Sequence, residues 1–475
     1  MSLQIYDTAQ RRKVPFQPRE PGKVGLYTCG PTVYKDATIG NFRTYMFEDL
    51  LRRTLEFLGL NVTQVMNITD VDDKTIREAH SRSVPLSEIT EPVIERFFRD
   101  LDLLNIKRAT HYPRATEHIP EMIELVHWLL DGGYAYKKDG SVYFSISSYP
   151  EYGKLSRMKL ESLARGVRID ADEYEKEDFR DFALWKGWTE EDGEVGWDSP
   201  FGRGRPGWHI ECSAMSRKYL GEKFDLHTGG VDNIFPHHEN EIAQSVAATG
   251  KGFVRHWMHS AHLMVEGEKM SKSLGNVYTV QDLLDKEYSM RAVRYVLLTT
   301  HYKQQLNFTY ESVKAAGHSI ERLDTLVQAA ESANGEGEVR SALMENINIA
   351  RQGFTDSLMD DLGISEAMAA LFNLVSNVHR FAIEKPLNSY EGTAILEFWK
   401  NADCVLGFLI PERQDIPQDI RNLIQSRMEN RSNRDFKKAD EIRAELEKKG
   451  YQVEDLKGET VIIWHGGRKT ITKSE

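Results

Sequence analysis

A strand, a turn, a helix and a second strand follow one another between residues 24 and 66, and no other stretch constrains the fold of this chain as tightly. Val24 and Leu26 alternate along 24–29 before Gly30-Pro31, the pattern of a strand ending in a turn. From about 42 to 58, Phe47, Leu50, Leu51, Leu55 and Leu58 recur at helical spacing and form one apolar stripe. Residues 61–66 (NVTQVM) then return as a strand. A βαβ unit of this kind implies a parallel sheet that takes its ligands at the carboxyl ends of the strands. Residues 223–227 (KFDLH) read as a further strand ending in Thr228-Gly229-Gly230. A helix is expected from about Pro236, where proline is tolerated in a first turn.

At 475 residues the chain is long enough for several domains, each with its own interior. A long insertion separates the two strand-bearing stretches and holds a hairpin-like run at 140–145 (GSVYFS). From about 310 the periodicity is helical, with a linker at 329–338 (AAESANGEGE) and two helices within 341–381. A charged helix near 439–449 and a short strand at 461–464 follow. The expected α/β segments are 1–110 and 201–265 for the two halves of the sheet domain, with 111–200 as the insertion. A loop and connecting region, 266–310, would lead into a helical bundle, 311–410, and a small terminal domain, 411–475.

Composition excludes several classes. No apolar run approaches the roughly 18 residues of a membrane span, and MSLQIYDTAQRRK has no signal core. Cys29, Cys212 and Cys404 are too few and too scattered for a disulfide framework, which points to a reducing, cytoplasmic setting. A net charge of -12 argues against indiscriminate coating of nucleic acid, while local basic patches can still meet a specific RNA. The patch at 466–473 (GGRKTITK) is expected to be a frayed, solvated terminus.

Lys269-Met270-Ser271-Lys272-Ser273, followed by Leu274-Gly275-Asn276, is a cationic loop with little to offer a core. It suits a polyphosphate whose charge is met during a reaction and released afterwards; a solvated basic turn is the plainer reading. Thr38-Ile39-Gly40-Asn41 stands just ahead of the first helix. Free N–H groups and the dipole at a helix amino terminus favour phosphate, and Gly40 lets a base or ribose approach the backbone. Neither a Walker A loop nor a G-x-G-x-x-G pattern occurs at this first βα turn, so the common nucleotide modes are unsupported there. His237 and Glu241, at i and i+4, leave one helix face together. With Cys29 at the end of the first strand and Cys212 after Trp208-His209-Ile210-Glu211, they offer four zinc-type donors, although both cysteines equally suit an inert core.

Seven blocks carry a resemblance to a known family. They are LYTCGPTVY (26–34), NITDVDDK (67–74), PRATEH (113–118), YGKLS (152–156), RPGWHIECSAM (205–215), FPHHENEIAQ (235–244) and GEKMSKSLGN (267–276). In this order the chain resembles the cysteinyl-tRNA synthetases, class I aminoacyl-tRNA synthetases, along nearly its whole length. The resemblance implies a Rossmann-like parallel-sheet catalytic domain split by a connective insertion. A KMSKS loop with a stem-contact region, a helical bundle and an anticodon-binding domain would follow. It further implies a monomeric cytoplasmic enzyme that activates L-cysteine with ATP to cysteinyl-adenylate and transfers it to the 3′ end of tRNA(Cys).

By the same resemblance, Cys29, Cys212, His237 and Glu241 would hold one zinc ion in the amino-acid pocket. Zinc favours thiolate over hydroxyl, whereas size alone discriminates by only about 1–3 kcal/mol per small group. Thr69 and Trp208 would contact the amino acid, with His209, His227 and His238 shaping the pocket. ATP, with magnesium, would lie among Thr38, Ile39, Gly40, Asn41, Gly229, Gly230, Asp232, Lys269, Met270, Ser271, Lys272 and Ser273. Thr38, Asn41, Lys269 and Lys272 would have catalytic roles. One departure stands out: the family's HIGH signature begins with histidine, and here that place is Thr38, a shorter hydroxyl donor. Two other readings remain open at this point, a ligase passing activated cysteine to a small amine and a non-catalytic zinc- or RNA-binding paralogue. The block 434–443 (RDFKKADEIR) resembles the anticodon-binding domain and weighs against the first; the intact KMSKS and zinc sets weigh against the second.

Overall fold

The expected βαβ unit is β1 (Lys23–Thr28), α1 (Ile39–Phe57) and β2 (Asn61–Met66). The computed structural model describes residues 2–158, 181–271, 275–408, 418–433, 435–449, 451–456, 459–464 and 468–473, so Lys272, Ser273 and Arg434 lie outside the described residues. β1 and β2 pair in parallel from Lys23↔Asn61 to Thr28↔Met66. The helix begins ahead of its apolar stripe because Thr38 is extended (φ -90, ψ 163) and ends the preceding loop. Asn41 Oδ1 then accepts from both the N–H and the hydroxyl of Thr38, each at 2.9 Å, which closes the first turn onto its cap.

Far along the chain, α2 (Trp208–Leu220) leads into β3 (Phe224–Gly230), which pairs in parallel with β1. Next come α3 (Glu239–Thr249) and β4 (Val254–Ser260), which pairs in parallel with β3, giving the order β4-β3-β1-β2. The chain therefore leaves β1 on one side and returns on the other. The crevice at the carboxyl ends of β1 and β3 is a topological switch point, where open parallel sheets bind ligands. α3 starts later than Pro236 suggested. Phe235 is extended (φ -141, ψ 130) and distorts the turn Ile234–His238, so His237 and His238 precede the regular helix.

The insertion is a four-stranded antiparallel sheet of Ala135–Lys138, Ser141–Phe144, Phe182–Gly187 and Gly204–Pro206 in that order. The expected hairpin at 140–145 is its first pair, and its last strand lies beyond residue 200 and runs directly into α2. Past the sheet domain come α4 (Met290–Thr299), α5 (Tyr310–Glu331), α6 (Ser341–Met359), α7 (Ile364–Glu384) and α8 (Ser389–Leu406). α5 covers the start of the expected linker, which begins instead after Glu331. One apolar cluster, including Leu50, Leu51, Leu297, Leu323, Phe354 and Leu371, joins one face of the sheet to the bundle. Ile420, Ile424 and Leu446 form a small cluster of their own. The basic stretch expected to fray is ordered over Arg468–Lys473, paired in register with Glu459–Trp464, because backbone pairing fixes it whatever its side chains carry. Among the described residues no helix is long and apolar enough to cross a membrane.

Candidate active site

Cys29 follows β1, Cys212 lies early in α2, and His237 and Glu241 flank the start of α3. Ligand atoms of these four residues lie within 4.8 Å of one another, close enough to share one metal ion. Burial and mutual contact make the cluster unstable as a set of bare charges. Contact with Cys212, then burial, pushes the Cys29 thiol well above its ordinary value. Burial also raises Glu241 to about 7 and drives His237 down to about 3, leaving its imidazole neutral and its lone pair available. His237 Nε2 stands 3.0 Å from Glu241 Oε1, but no hydrogen-bond donor satisfies that oxygen although it is buried. A buried carboxylate oxygen without a donor, two thiols and a neutral imidazole form a donor set that a divalent cation satisfies.

Further imidazoles touch these residues. His227 Nε2 lies 3.0 Å from Glu241 Oε2, and His238 Nε2 lies 3.2 Å from Cys29 Sγ. His238 Nδ1 in turn meets His259 Nε2 at 2.8 Å, and His259 Nδ1 meets Thr8 Oγ1 at 2.8 Å. His227 and His238 could replace Cys212 and His237 in an alternative metal-holding set with Cys29 and Glu241. That alternative lacks the second thiol, so it is the less thiophilic of the two. His209 Nδ1 is 2.9 Å from His237 Nδ1. Trp208, 43% exposed, stacks on His237 with ring centroids 4.3 Å apart, and so covers the cluster from the open side. His259 and Thr8 escaped the sequence reading; neither belongs to a block with a spacing that marks ligands.

Thr69 is buried beside the cluster. Its hydroxyl donates to Glu211 Oε2 at 2.9 Å and accepts from Asn67 Nδ2 at 3.1 Å, while Asn67 Oδ1 accepts from Gly30 N–H at 2.9 Å. Glu211 was also missed, since a glutamate next to Cys212 gives no periodic signal. The structure buries it completely, raising its carboxyl well above the ordinary range, and leaves Oε1 without a donor.

The nucleotide motifs converge at the amino terminus of α1. A Cβ on Gly40 would collide with Cε of Met270, so Met270 lies against the first turn of the helix. Ile39 N–H donates to Tyr278 O at 2.9 Å, and Thr38 bridges Thr279, which ties the far end of the loop to the same turn. Within the loop, Asn276 accepts from Ser271 N–H at 2.8 Å and donates to Lys269 O at 3.2 Å. Lys269 ends a short strand and is exposed. Gly229 and Gly230 close β3, Gly230 N–H donating to Asn233 Oδ1 at 3.0 Å, and exposed Asp232 follows at the mouth of the switch point. Lys269 and Met270 thus stand at an anion-favouring helix terminus, and β1 leads from the same sheet into a thiol-rich, metal-competent pocket.

Comparison with known proteins agrees in scale and order. A family model described as tRNA synthetases class I (C) catalytic domain matches residues 15–318. A cysteine–tRNA ligase from Protochlamydia amoebophila is 48% identical over 462 residues, covering 95% of this chain and 96% of that protein. The cysteine–tRNA ligase of Chlamydia pneumoniae is 49% identical, with 96% and 97% covered. Among solved structures, methionyl-tRNA synthetase of Mycobacterium tuberculosis in complex with methionyl-adenylate is similar in fold. Its TM-score is 0.63 at 16% identity, with 82% of this chain and 92% of that one covered. LeuRS of Agrobacterium radiobacter K84, solved in a ternary complex with tRNA and LeuAMS, has a TM-score of 0.59 at 11% identity, with 83% and 85% covered.

Proposed function

Because this chain belongs to the cysteine–tRNA ligases, a family of class I aminoacyl-tRNA synthetases, we propose that Cys29, Cys212, His237 and Glu241 would hold one zinc ion in the pocket for the substrate thiol. The enzyme activates L-cysteine with ATP, forming cysteinyl-adenylate and diphosphate, and then passes the cysteinyl group to tRNA with release of AMP. Bound in this cluster, zinc supplies a thiophilic Lewis acid that prefers thiolate to hydroxyl. The single observation that carries the assignment is the unsatisfied, buried Glu241 Oε1 facing two thiols and an imidazole.

The chain's own residues supply positioning and charge. In the first step a carboxylate oxygen of cysteine attacks the α-phosphorus and diphosphate leaves; no enzyme nucleophile is needed. The amino terminus of α1, Thr38 and Asn41 line the phosphate side, and Lys269 and Lys272 meet the charge on the departing diphosphate together with magnesium. Ile39, Gly40, Met270 and Ser271 complete that wall. Gly229 and Gly230 leave room for adenosine, and Asp232 accepts from a ribose hydroxyl. Thr69 and Trp208 hold the amino acid over the zinc cluster, and tRNA(Cys) is the acceptor. Relatives match about the whole chain, including the carboxyl-terminal region expected to read tRNA, so transfer to a small amine is not favoured.

The test is cysteine-dependent ATP–diphosphate exchange, followed by charging of tRNA(Cys). Wild type should exchange with cysteine and reject serine. Cys212→Ser should lose bound zinc and the cysteine-dependent exchange together. Full zinc content and unchanged cysteine selectivity in that variant would remove the metal from the account.

A further inference from the structure

The block 152–156 (YGKLS) has no part in the nucleotide or metal sites, yet it is fastened to the first turn of α3, which carries Glu241. Glu239, 1% exposed, lies two residues from both His237 and Glu241. Its carboxylate accepts Gly153 N–H on Oε1 at 2.9 Å and Ser156 N–H on Oε2 at 2.8 Å. Beside it, the Tyr152 hydroxyl donates to Asn240 Oδ1, and Asn240 is 2% exposed. Gly153 takes φ +92, and a Cβ there would run into the carbonyl of Met158, so this loop shape requires glycine. Tyr152 and Leu155 bury their side chains in the same apolar cluster as Cys212 and Ala243.

A helix terminus needs its free N–H groups satisfied, but here a buried glutamate in the first turn takes two backbone donors from the insertion instead. Two charge-assisted hydrogen bonds to one buried carboxylate are a strong local restraint. Glu239 immediately follows the distorted turn Ile234–His238, whose irregular backbone places His237 beside Glu241. We propose that Glu239 is a positioning residue, and that the insertion loop at 152–156 latches onto it to hold His237 and Glu241 in metal-binding register. This inference rests on the zinc reading above.

The test compares Glu239→Gln, Glu239→Ala and Tyr152→Phe with wild type in the full-length chain. Zinc affinity is read by chelator competition, and KM values for cysteine and for ATP are read by diphosphate exchange. Outer-shell partners typically change metal affinity by about 10–100-fold, so Glu239→Ala should lose zinc affinity within that range. Glu239→Gln, which keeps one acceptor oxygen, should fall between Ala and wild type. KM for cysteine should rise in parallel, with KM for ATP and kcat within about twofold of wild type, and Tyr152→Phe should move the same way by less. Unchanged zinc affinity in all three variants would overturn the proposal. So would equal losses in cysteine and ATP parameters, which mark a purely structural role. If Glu239→Ala fails to fold, the remaining two variants decide by the same criteria. Wild type without zinc would instead sink the zinc reading, and that outcome is seen before any variant is made.

Discussion

Thr38 stands where the family's signature has histidine, and its hydroxyl is committed to Asn41 at 2.9 Å. That hydrogen bond uses the hydroxyl's only proton, so in this geometry Thr38 does not offer phosphate the donor that an imidazole would. Thr38→Ala should nevertheless slow ATP–diphosphate exchange, because it also unties Asn41 from the first turn of α1; the loss of about one hydrogen bond corresponds to about tenfold. An unchanged rate would take Thr38 out of the mechanism. Cys29, Cys212, His237 and Glu241 were legible in the sequence because they fall inside blocks that resemble a family, not because their spacing demanded a site. His259, Thr8 and Glu211 were not legible. A histidine on a strand, a threonine near the start of the chain and a glutamate beside a cysteine carry no periodic mark, and only packing brings them to the pocket.

At the scale of the element, α1 is the spine of the molecule. Its apolar stripe was readable, but Arg43, Glu48, Asp49 and Arg53 are buried as well, which a stripe-based reading assigns to solvent. The reason is that α1 is enclosed by the sheet on one side and the bundle on the other, and these side chains reach hydrogen-bond acceptors and donors inside. Arg43 donates to the carbonyls of Leu297, Thr300 and His301 at the end of α4, and Glu48 accepts from Thr228 at 2.9 Å. Asp49 receives Arg53 at 2.8 Å and Arg294 at 2.7 Å; Arg294 also donates to Leu406 O, and Arg53 to Cys404 O, at the end of α8. Burial alone would raise the Asp49 carboxyl, but the Arg53 and Arg294 guanidinium groups hold it below the ordinary value. Asp49→Asn leaves two buried arginines without their anion and should destabilise the fold by about 3–5 kcal/mol, measured by urea unfolding. The pH sign follows from the depressed value. Stability from Asp49 is complete above its unfolded value of about 3.9 and is lost as pH falls through the lower folded one. Wild type should therefore lose stability below about pH 4 more steeply than Asp49→Asn. Equal acid slopes in the two proteins would contradict this pairing.

For the molecule as a whole, the sheet and bundle share one apolar cluster, whereas the described residues after 418 contribute Ile420, Ile424 and Leu446 to a cluster of their own. A chain ending at residue 408 should thus keep cysteine-dependent exchange within about threefold, while charging of tRNA(Cys) drops by far more, since every residue proposed for the first step precedes 408. Loss of both activities together would mean that the terminal part supports the catalytic core. The order of sheet, insertion, bundle and terminal unit was readable from periodicity and blocks. The placement of β3 beside β1 was not, because parallel pairing across a long insertion leaves no local signal. That same pairing brings Cys29 to His237 and Glu241, so the central claim lives on it. X-ray absorption at the zinc edge tests the claim most directly, on the purified chain with and without cysteine. The two thiols of Cys29 and Cys212 should be joined by a third sulfur ligand when cysteine is added and not when serine is added. Unchanged sulfur coordination in saturating cysteine would contradict the account.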